Sequence, residues 1–421
     1  MEKSSLMAQR TIVGIDVGTT KVCTIVAQVQ ENGRTNILGV GLTPSKGLDK
    51  GVVVNIDDAV NAIATSVEKA ERLSGYRIGT AFVGVAGRHI GSLNSRGVVA
   101  VARSDHEITH NDIARAVEAA QAVAIPTQRE VIHVIPRAYI VDGNEGIRDP
   151  IGMSGFRLEV ETHIVTGEVM AIQNLIKSVQ KAGVEIDDLV LQPLASGEAV
   201  LSAEDKDRGV VLVDIGGGTT DIAVFVQGGI WHTSVIPVGG NHFTNDIVLV
   251  QQTPHNTAEY LKLRYASAIS EEPEDAASDL IEAEGFAPGE RQQISRYLLN
   301  QIVQARAEEV IELIYNEIRR SGYDGMLPAG IVLTGGSAQL PRFDELMRNM
   351  LGVPVRVGAP TDLTGLSDTI NTPPYATGVG LVRWGARHGV AVQNPSHSGV
   401  DRHSWGSAYD RFKGWLREFL P

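Results

Sequence analysis

One cysteine in 421 residues, Cys23, leaves no partner for an internal disulfide, which agrees with a reducing compartment. It lies in the apolar run Val22-Cys-Thr-Ile-Val-Ala, where a thiol serves as a small core residue. No apolar run reaches the ~20 residues of a transmembrane helix, and Met1-Glu-Lys-Ser-Ser leads into no apolar signal segment. The bulk of the chain is therefore expected in the cytosol. A basic excess is missing too: the net charge of −13 argues against the broad basic face that nucleic-acid backbones require, so no nucleic acid is expected as a partner. Glycine, by contrast, is plentiful at 45 residues, clustered around short apolar strands as tight turns would have it. With 43% hydrophobic and 21% charged residues, the length supports two or three domain-sized units with cores of their own.

Two segments of the chain read nearly alike. Ile12-Val-Gly-Ile-Asp-Val-Gly-Thr-Thr-Lys-Val-Cys-Thr-Ile-Val-Ala is matched by Val211-Leu-Val-Asp-Ile-Gly-Gly-Gly-Thr-Thr-Asp-Ile-Ala-Val-Phe-Val. Each is a β-branched strand ending in Asp, a Gly-Thr-Thr turn and a second strand of similar character. The second copy carries a longer glycine run, Gly216 to Gly218, and Asp221 stands after its Thr-Thr where the first copy has Lys21. The repeat implies two similar α/β domains, each opening with a hairpin. Apolar residues at three- and four-residue spacing predict helices over Ile56–Leu73, Val169–Ala182 and Ile294–Ile318. Glu271-Glu-Pro-Glu-Asp within Arg264–Glu290 reads as a solvated loop or helix start, and Asn394-Pro-Ser-His-Ser-Gly as a flexible linker.

A turn of Asp-x-Gly-Thr-Thr exposes several backbone N–H groups where glycine removes the Cβ obstruction, and clustered donors of this kind suit an anion. An Asp at the strand end can hold Mg²⁺ beside the anion, usually through water. A single glycine turn is most often only a turn, whereas two facing copies can grip a polyphosphate from both sides of a cleft. Ile331-Val-Leu-Thr-Gly-Gly-Ser-Ala-Gln-Leu adds a strand leading into Gly335, Gly336 and a predicted helix, where backbone can approach a flat base. Glu259 and Lys262 fall on one helical face at i, i+3, which by itself reads as a surface ion pair. His89, His106, His110, His133 and His163 have no metal-site spacing and read as solvated or core residues.

Asp16-Val-Gly-Thr-Thr, Asp214-Ile-Gly-Gly-Gly-Thr-Thr-Asp and Leu333-Thr-Gly-Gly-Ser-Ala resemble the two phosphate motifs and the adenosine motif of the actin, sugar-kinase and heat-shock ATPase superfamily. Within it the chain resembles the FtsA family of bacterial cell-division proteins from about Thr11 to its C-terminus. Val131-Ile-His-Val-Ile-Pro-Arg-Ala-Tyr, Gly146-Ile-Arg-Asp-Pro-Ile-Gly-Met-Ser-Gly, Ser45-Lys-Gly-Leu-Asp-Lys-Gly and the C-terminal segment carry that likeness. The resemblance implies an actin-like α/β fold of two related domains facing an ATP cleft, with an inserted subdomain and a C-terminal amphipathic helix. It implies residues 1–87 with 166–200 and 358–388 as the first core domain, and 88–165 as the insertion. Residues 201–240 with 301–357 would form the second core domain and 241–300 its subdomain, followed by a linker over 389–404 and a membrane-targeting helix over 405–421.

Residue by residue, the resemblance places Asp16 and Asp214 near Mg²⁺, and Gly18, Thr19, Thr20, Gly216, Gly217, Gly218, Thr219 and Thr220 around the phosphates of ATP. Lys21 would reach a phosphate, while Glu259 and Lys262 would contact ribose and adenine, with Gly335, Gly336, Ser337 and Gln339 lining the adenosine. Gln192 would orient an attacking water, with Asp214 beside it, in a slow ATPase. Implied partners are further copies of the chain, later division proteins that meet the insertion, and the tubulin-like protein FtsZ, whose C-terminal peptide would dock on about Asn241 to Asn300.

The tail carries a signal of its own. At ~100° per residue, Trp405, Ala408, Tyr409, Phe412, Trp415, Leu416, Phe419 and Leu420 share one arc, and Asp410, Arg411, Lys413, Arg417 and Glu418 lie opposite. This is the pattern of a helix lying in a membrane interface; the alternative, a last helix docked on protein, is opposed by the polar linker before it. The expectation is a peripheral protein on anionic lipids at the cytoplasmic face of the inner membrane, at the division septum. Rival readings are a pilus-assembly relative, a small-molecule kinase, for which no motif supplies a catalytic aspartate, and a chaperone ATPase, for which too little chain follows Ala386.

Overall fold

In a computed structural model, residues 10–30, 33–273, 279–287 and 289–388 are described. The linker 389–404 and the amphipathic segment 405–421, with Trp405, Phe412, Trp415, Leu416, Phe419 and Leu420, lie outside the described residues.

Both predicted hairpins form. Thr11–Val17 pairs antiparallel with Lys21–Val29, and Val210–Ile215 pairs antiparallel with Thr220–Val226. Each hairpin seeds a sheet of the same plan. In the first, Thr35–Pro44 extends one side, and Thr80–Val85 then Glu185–Leu191 add in parallel on the other. In the second, Gly229–Ile236 takes the antiparallel side, with Ile331–Thr334 and Val355–Val357 parallel. The first sheet gains one more strand, Leu363–Gly365, at its far edge. The hairpin strands are buried on both faces, which is why they read as near-continuous apolar runs rather than alternating ones.

The register changes one reading of the repeat. Asp16 pairs with Cys23 and Asp214 with Asp221, so both turns enclose the same number of residues. The Gly18 N–H donates to the Lys21 carbonyl at 3.0 Å, and Gly216 donates to Thr219 at 2.9 Å, the same closure in each copy. Counted from the backbone, Thr219 therefore stands where Lys21 stands, and Asp221 where Cys23 stands. The second glycine run is a substitution of the threonine pair and not an insertion.

The predicted helices fall at Ile56–Ser74, Val169–Lys181 and Arg296–Arg320. The first is capped by the Asn55 side chain, which accepts from the N–H groups of Asp57 and Asp58, and ends at Gly75 with φ 66°. After Gly335 comes a 3-10 turn, Gly336–Gln339, and a helix only at Phe343–Leu351. Beyond the Glu271 charge run, Leu280–Glu284 pairs with Arg291–Ser295 in a small hairpin, so the helix predicted from Ile294 starts at Arg296.

Residues between the first sheet's strands build a separate four-stranded sheet: Ile90–Ala100, Arg157–Glu168, Arg129–Val141 and Asn144–Ile147, covered by the helix His110–Gln121. This insertion leans on the second sheet. The buried His163 ring bonds Asn94 at 2.7 Å and Thr233 at 2.8 Å, and Ser92 donates to the Thr233 carbonyl at 2.9 Å. Nearby, the Arg137 guanidinium lies 3.9 Å from the centre of the Trp231 ring.

Two helices sit between the sheets. Gln192–Val200 follows directly from the strand Glu185–Leu191, and Ala376–His388 packs across it. Their buried residues Leu194, Ala195, Val379 and Leu381 share one core with Leu212, Ala223 and Phe225 of the second sheet. Contact is close enough that a Cβ on Gly380 would fall 1.8 Å from the Ala195 carbonyl.

Candidate functional site

The two turns meet tip to tip. A Cβ on Gly217 would lie 2.2 Å from Thr20, and one on Gly218 2.7 Å from Thr19, a reciprocal contact between equivalent positions. Glycine at both places lets the second turn come this near. The inner N–H groups of Thr19, Thr20, Gly217 and Gly218 donate to no backbone carbonyl among the described residues, which suits them to an anion.

Behind the tips lie three buried carboxylates, Asp16, Asp214 and Asp221. The Gln192 amide donates to Asp16 Oδ1 at 2.9 Å. Asp214 Oδ2 accepts from Ser196 at 2.5 Å and from Thr377 at 3.1 Å. Asp221 accepts from Thr219 at 3.1 Å through Oδ2, while its buried Oδ1 has no partner among the described residues. Burial pushes Asp16 up to about 6, with Lys21 opposing and Asp214 adding to the rise. Burial also raises Asp214, opposed by the Ser196 and Thr377 hydroxyls and by Lys21. Asp221 is raised well above the usual range by burial and by the other two carboxylates. Three acids thus share a dry volume in which an added cation would favour the ionised forms. No group of three or more His, Cys, Asp or Glu among the described residues has direct metal-ligand spacing.

Lys21 sits at the same floor. Its ammonium donates to the Pro374 carbonyl and lies 4.5 Å from the centre of the Tyr375 ring. The sequence reading aims Lys21 at a phosphate; here its hydrogen bond goes to the segment that opens the helix Ala376–His388.

Of the predicted adenosine residues, Lys262 and Ser337 come together at Gly240 and at Gly216 of the second hairpin. Glu259 and Lys262 form their ion pair at 2.8 Å on the helix His255–Tyr265, with Lys262 largely buried. Lys262 reaches further, to Thr244 at 2.9 Å and the Gly240 carbonyl at 3.2 Å, so the pair is more than a surface contact. Gly240 in turn donates to the Gly216 carbonyl at 2.9 Å, and Ser337 donates to the same oxygen at 3.1 Å. Gly335, with φ 84°, packs on Asp214, whereas Gly336 is exposed with open space at its Cβ position. Gln339 is exposed and bonds none of these groups. Thr220, read as a phosphate residue, is buried and donates to the Val238 carbonyl at 2.8 Å.

The sequence reading missed Ser196, Thr377, Asp221, Gly240, Pro374 and Tyr375. Asp221 had a signal, a charged residue inside an apolar strand. Ser196 and Thr377 had none that local pattern supplies.

Comparison with known proteins places the chain in a family. The family model described as "Cell division protein FtsA" matches residues 211–380, and the "SHS2 domain inserted in FTSA" matches residues 87–166, which is the four-stranded insertion. The chain is 42% identical to the cell division protein FtsA of Pseudomonas aeruginosa over 98% of this chain and 99% of that protein. It is 35% identical to FtsA of Escherichia coli, covering 97% and 98% of the two chains. Among solved structures, the PilM-PilN type IV pilus biogenesis complex matches with TM-score 0.65 at 15% identity, covering 89% of this chain and 98% of that one. MreB5 of Spiroplasma citri bound to ADP matches with TM-score 0.53 at 14% identity, covering 88% and 95%. At such identities these structures speak to the fold alone, which is actin-like. With 35–42% identity to curated FtsA proteins across nearly its whole length, the chain belongs to the FtsA family of cell-division proteins.

Proposed function

We propose that this chain binds Mg-ATP between its two hairpins and polymerises at the cytoplasmic face of the inner membrane. There, at the septum, it would tether FtsZ filaments through its C-terminal amphipathic helix and help recruit later division proteins. The observation that carries the nucleotide reading is the reciprocal meeting of two equivalent turns, whose inner N–H groups donate to no backbone carbonyl among the described residues, over three buried aspartates. Mg²⁺ supplies charge neutralisation beside the phosphates when bound. Thr19, Thr20, Gly217 and Gly218 would bind the polyphosphate, and Asp16 and Asp214 would orient the metal's water shell. Lys262, Glu259 and Ser337 would face the nucleoside, with Gly336 leaving room for it. We assign residues 88–165 to the inserted subdomain and 241–300 to a subdomain of the second core domain, on the bounds read from the sequence. The resemblance would dock the FtsZ C-terminal peptide on the latter, where Leu249 is 73% exposed and Leu263 74%.

No helix among the described residues is long and apolar enough to cross a membrane. Attachment would therefore fall to Trp405, Phe412, Trp415, Leu416, Phe419 and Leu420. Co-sedimentation with anionic liposomes, with and without residues 405–421, tests this. Loss of binding on truncation is expected, and undiminished binding by the truncated chain would refute the tail's role. Titration with fluorescent ATP, with and without Mg²⁺, tests the cleft.

A further inference from the structure

One short helix touches both aspartates. Gln192 and Ser196 are four residues apart on Gln192–Val200 and so lie on one face, a turn apart. Gln192 holds Asp16 of the first hairpin, and Ser196 holds Asp214 of the second. Thr377, at the start of the helix Ala376–His388, adds its hydroxyl to the same Asp214 oxygen and lies 3.1 Å from Ser196. All three groups are buried, at 0% exposure for Ser196, 6% for Thr377 and 7% for Asp214. Two hydroxyls on Oδ2 leave Oδ1 turned toward Gly335, where a Cβ would come within 2.3 Å of it. The carboxylate is thus held at Oδ2 by two buried hydroxyls.

We propose that Ser196 and Thr377 are positioning residues that fix Asp214 for the metal's water shell and clasp the second sheet to the helices beneath the first. The proposal rests on the reading of the cleft as an Mg-ATP site. Ser196–Asp214 and Thr377–Asp214 bond the helices Gln192–Val200 and Ala376–His388 to the second sheet and would resist any widening of the cleft that parts them. The same two hydroxyls therefore set the metal geometry and resist opening. A buried carboxylate that loses these donors gains an alternative rotamer, and loss of an outer partner commonly costs 10- to 100-fold in metal affinity.

The test uses the full chain. Fluorescent ATP is titrated at a series of Mg²⁺ concentrations, and its release is followed by stopped-flow, for wild type, Ser196→Ala, Thr377→Val and Thr377→Ser. Thr377→Val keeps the shape and removes the donor; Thr377→Ser keeps the donor. We expect Ser196→Ala and Thr377→Val each to raise the Mg²⁺ concentration for half-maximal ATP binding about tenfold and to speed release, with Mg²⁺-free binding unchanged. Thr377→Ser should behave as wild type. A wild-type Mg²⁺ curve for both donor-lacking variants overturns the proposal, even if their melting temperatures fall. So does Thr377→Ser behaving like Thr377→Val. A wild-type chain that binds no Mg-ATP at all instead overturns the site reading on which the proposal stands.

Discussion

Gly335→Ala separates a backbone requirement from a general tolerance of alanine. Gly335 has φ 84° and ψ 172°, a region essentially reserved for glycine. A Cβ there would sit 2.3 Å from Asp214 Oδ1 and 2.6 Å from the Ile215 carbonyl, and the latter is backbone that no rotamer change can move. Holding alanine in that conformation costs ~1–3 kcal/mol, and forcing the neighbours apart adds ~1–3 kcal/mol. The expected loss in stability is therefore about 2–6 kcal/mol, measured as the shift in urea midpoint at constant slope. Relief would come chiefly by pushing Asp214 aside, so Mg-ATP binding should weaken at least tenfold as well. Gly336→Ala is the matched control: its Cβ meets nothing within 4 Å. It should leave stability within ~0.5 kcal/mol of wild type while weakening ATP, because the added methyl fills space the nucleoside would approach. If Gly335→Ala unfolds at the wild-type midpoint, the claim that this strand end is shaped by Asp214 and Ile215 is wrong.

Three further outcomes are expected. Asp214→Ala should weaken Mg-ATP binding strongly in a fluorescent-ATP titration, whereas Cys23→Ser should leave it almost unchanged, since that thiol is fully buried and pushed up to about 12. Asp16 titrates near 6 in the fold against an ordinary 3.8, so the folded chain keeps a proton that the unfolded chain has lost, and stability falls as pH rises through this window. Asp16→Asn should thus be the more stable protein near pH 7, by up to about 3 kcal/mol, with the gain vanishing below about pH 4; equal urea midpoints at neutral pH would remove the basis for it. Trp415→Glu should release the chain from anionic liposomes with ATP binding intact, because it puts a charge at the centre of the apolar arc; retention on liposomes would show that the arc is not the contact.

What was legible in the sequence was whatever is local. Each hairpin is a run of neighbouring residues whose strand character, terminal Asp and glycine turn are set by short-range chemistry. The ion pair of Glu259 and Lys262 was legible for the same reason, being one turn of one helix. The clasp on Asp214 was not, because Ser196 and Thr377 stand 18 and 163 residues from it and meet it only once two helices lie between the sheets. The mistaken pairing of Lys21 with Asp221 has another cause. Matching Thr-Thr to Thr-Thr follows residue type, but cross-strand register follows the count from the last paired residue, and that count makes Asp221 the equivalent of Cys23.

That equivalence gives the site its polarity. Two backbones of one plan face each other, yet the first carries the ammonium of Lys21 where the second carries the hydroxyl of Thr219. The first also buries a neutral thiol where the second buries the carboxylate of Asp221. A symmetric clamp would bind a symmetric ligand equally in either direction. Here the first hairpin carries the Lys21 ammonium and the second an extra buried acid, so the two differ in charge. Gly240 and Ser337 both donate to Gly216 of the second hairpin, and Lys262 donates to the Gly240 carbonyl. Fold symmetry thus supplies the two walls, and the four residues Lys21, Cys23, Thr219 and Asp221 make those walls chemically unlike.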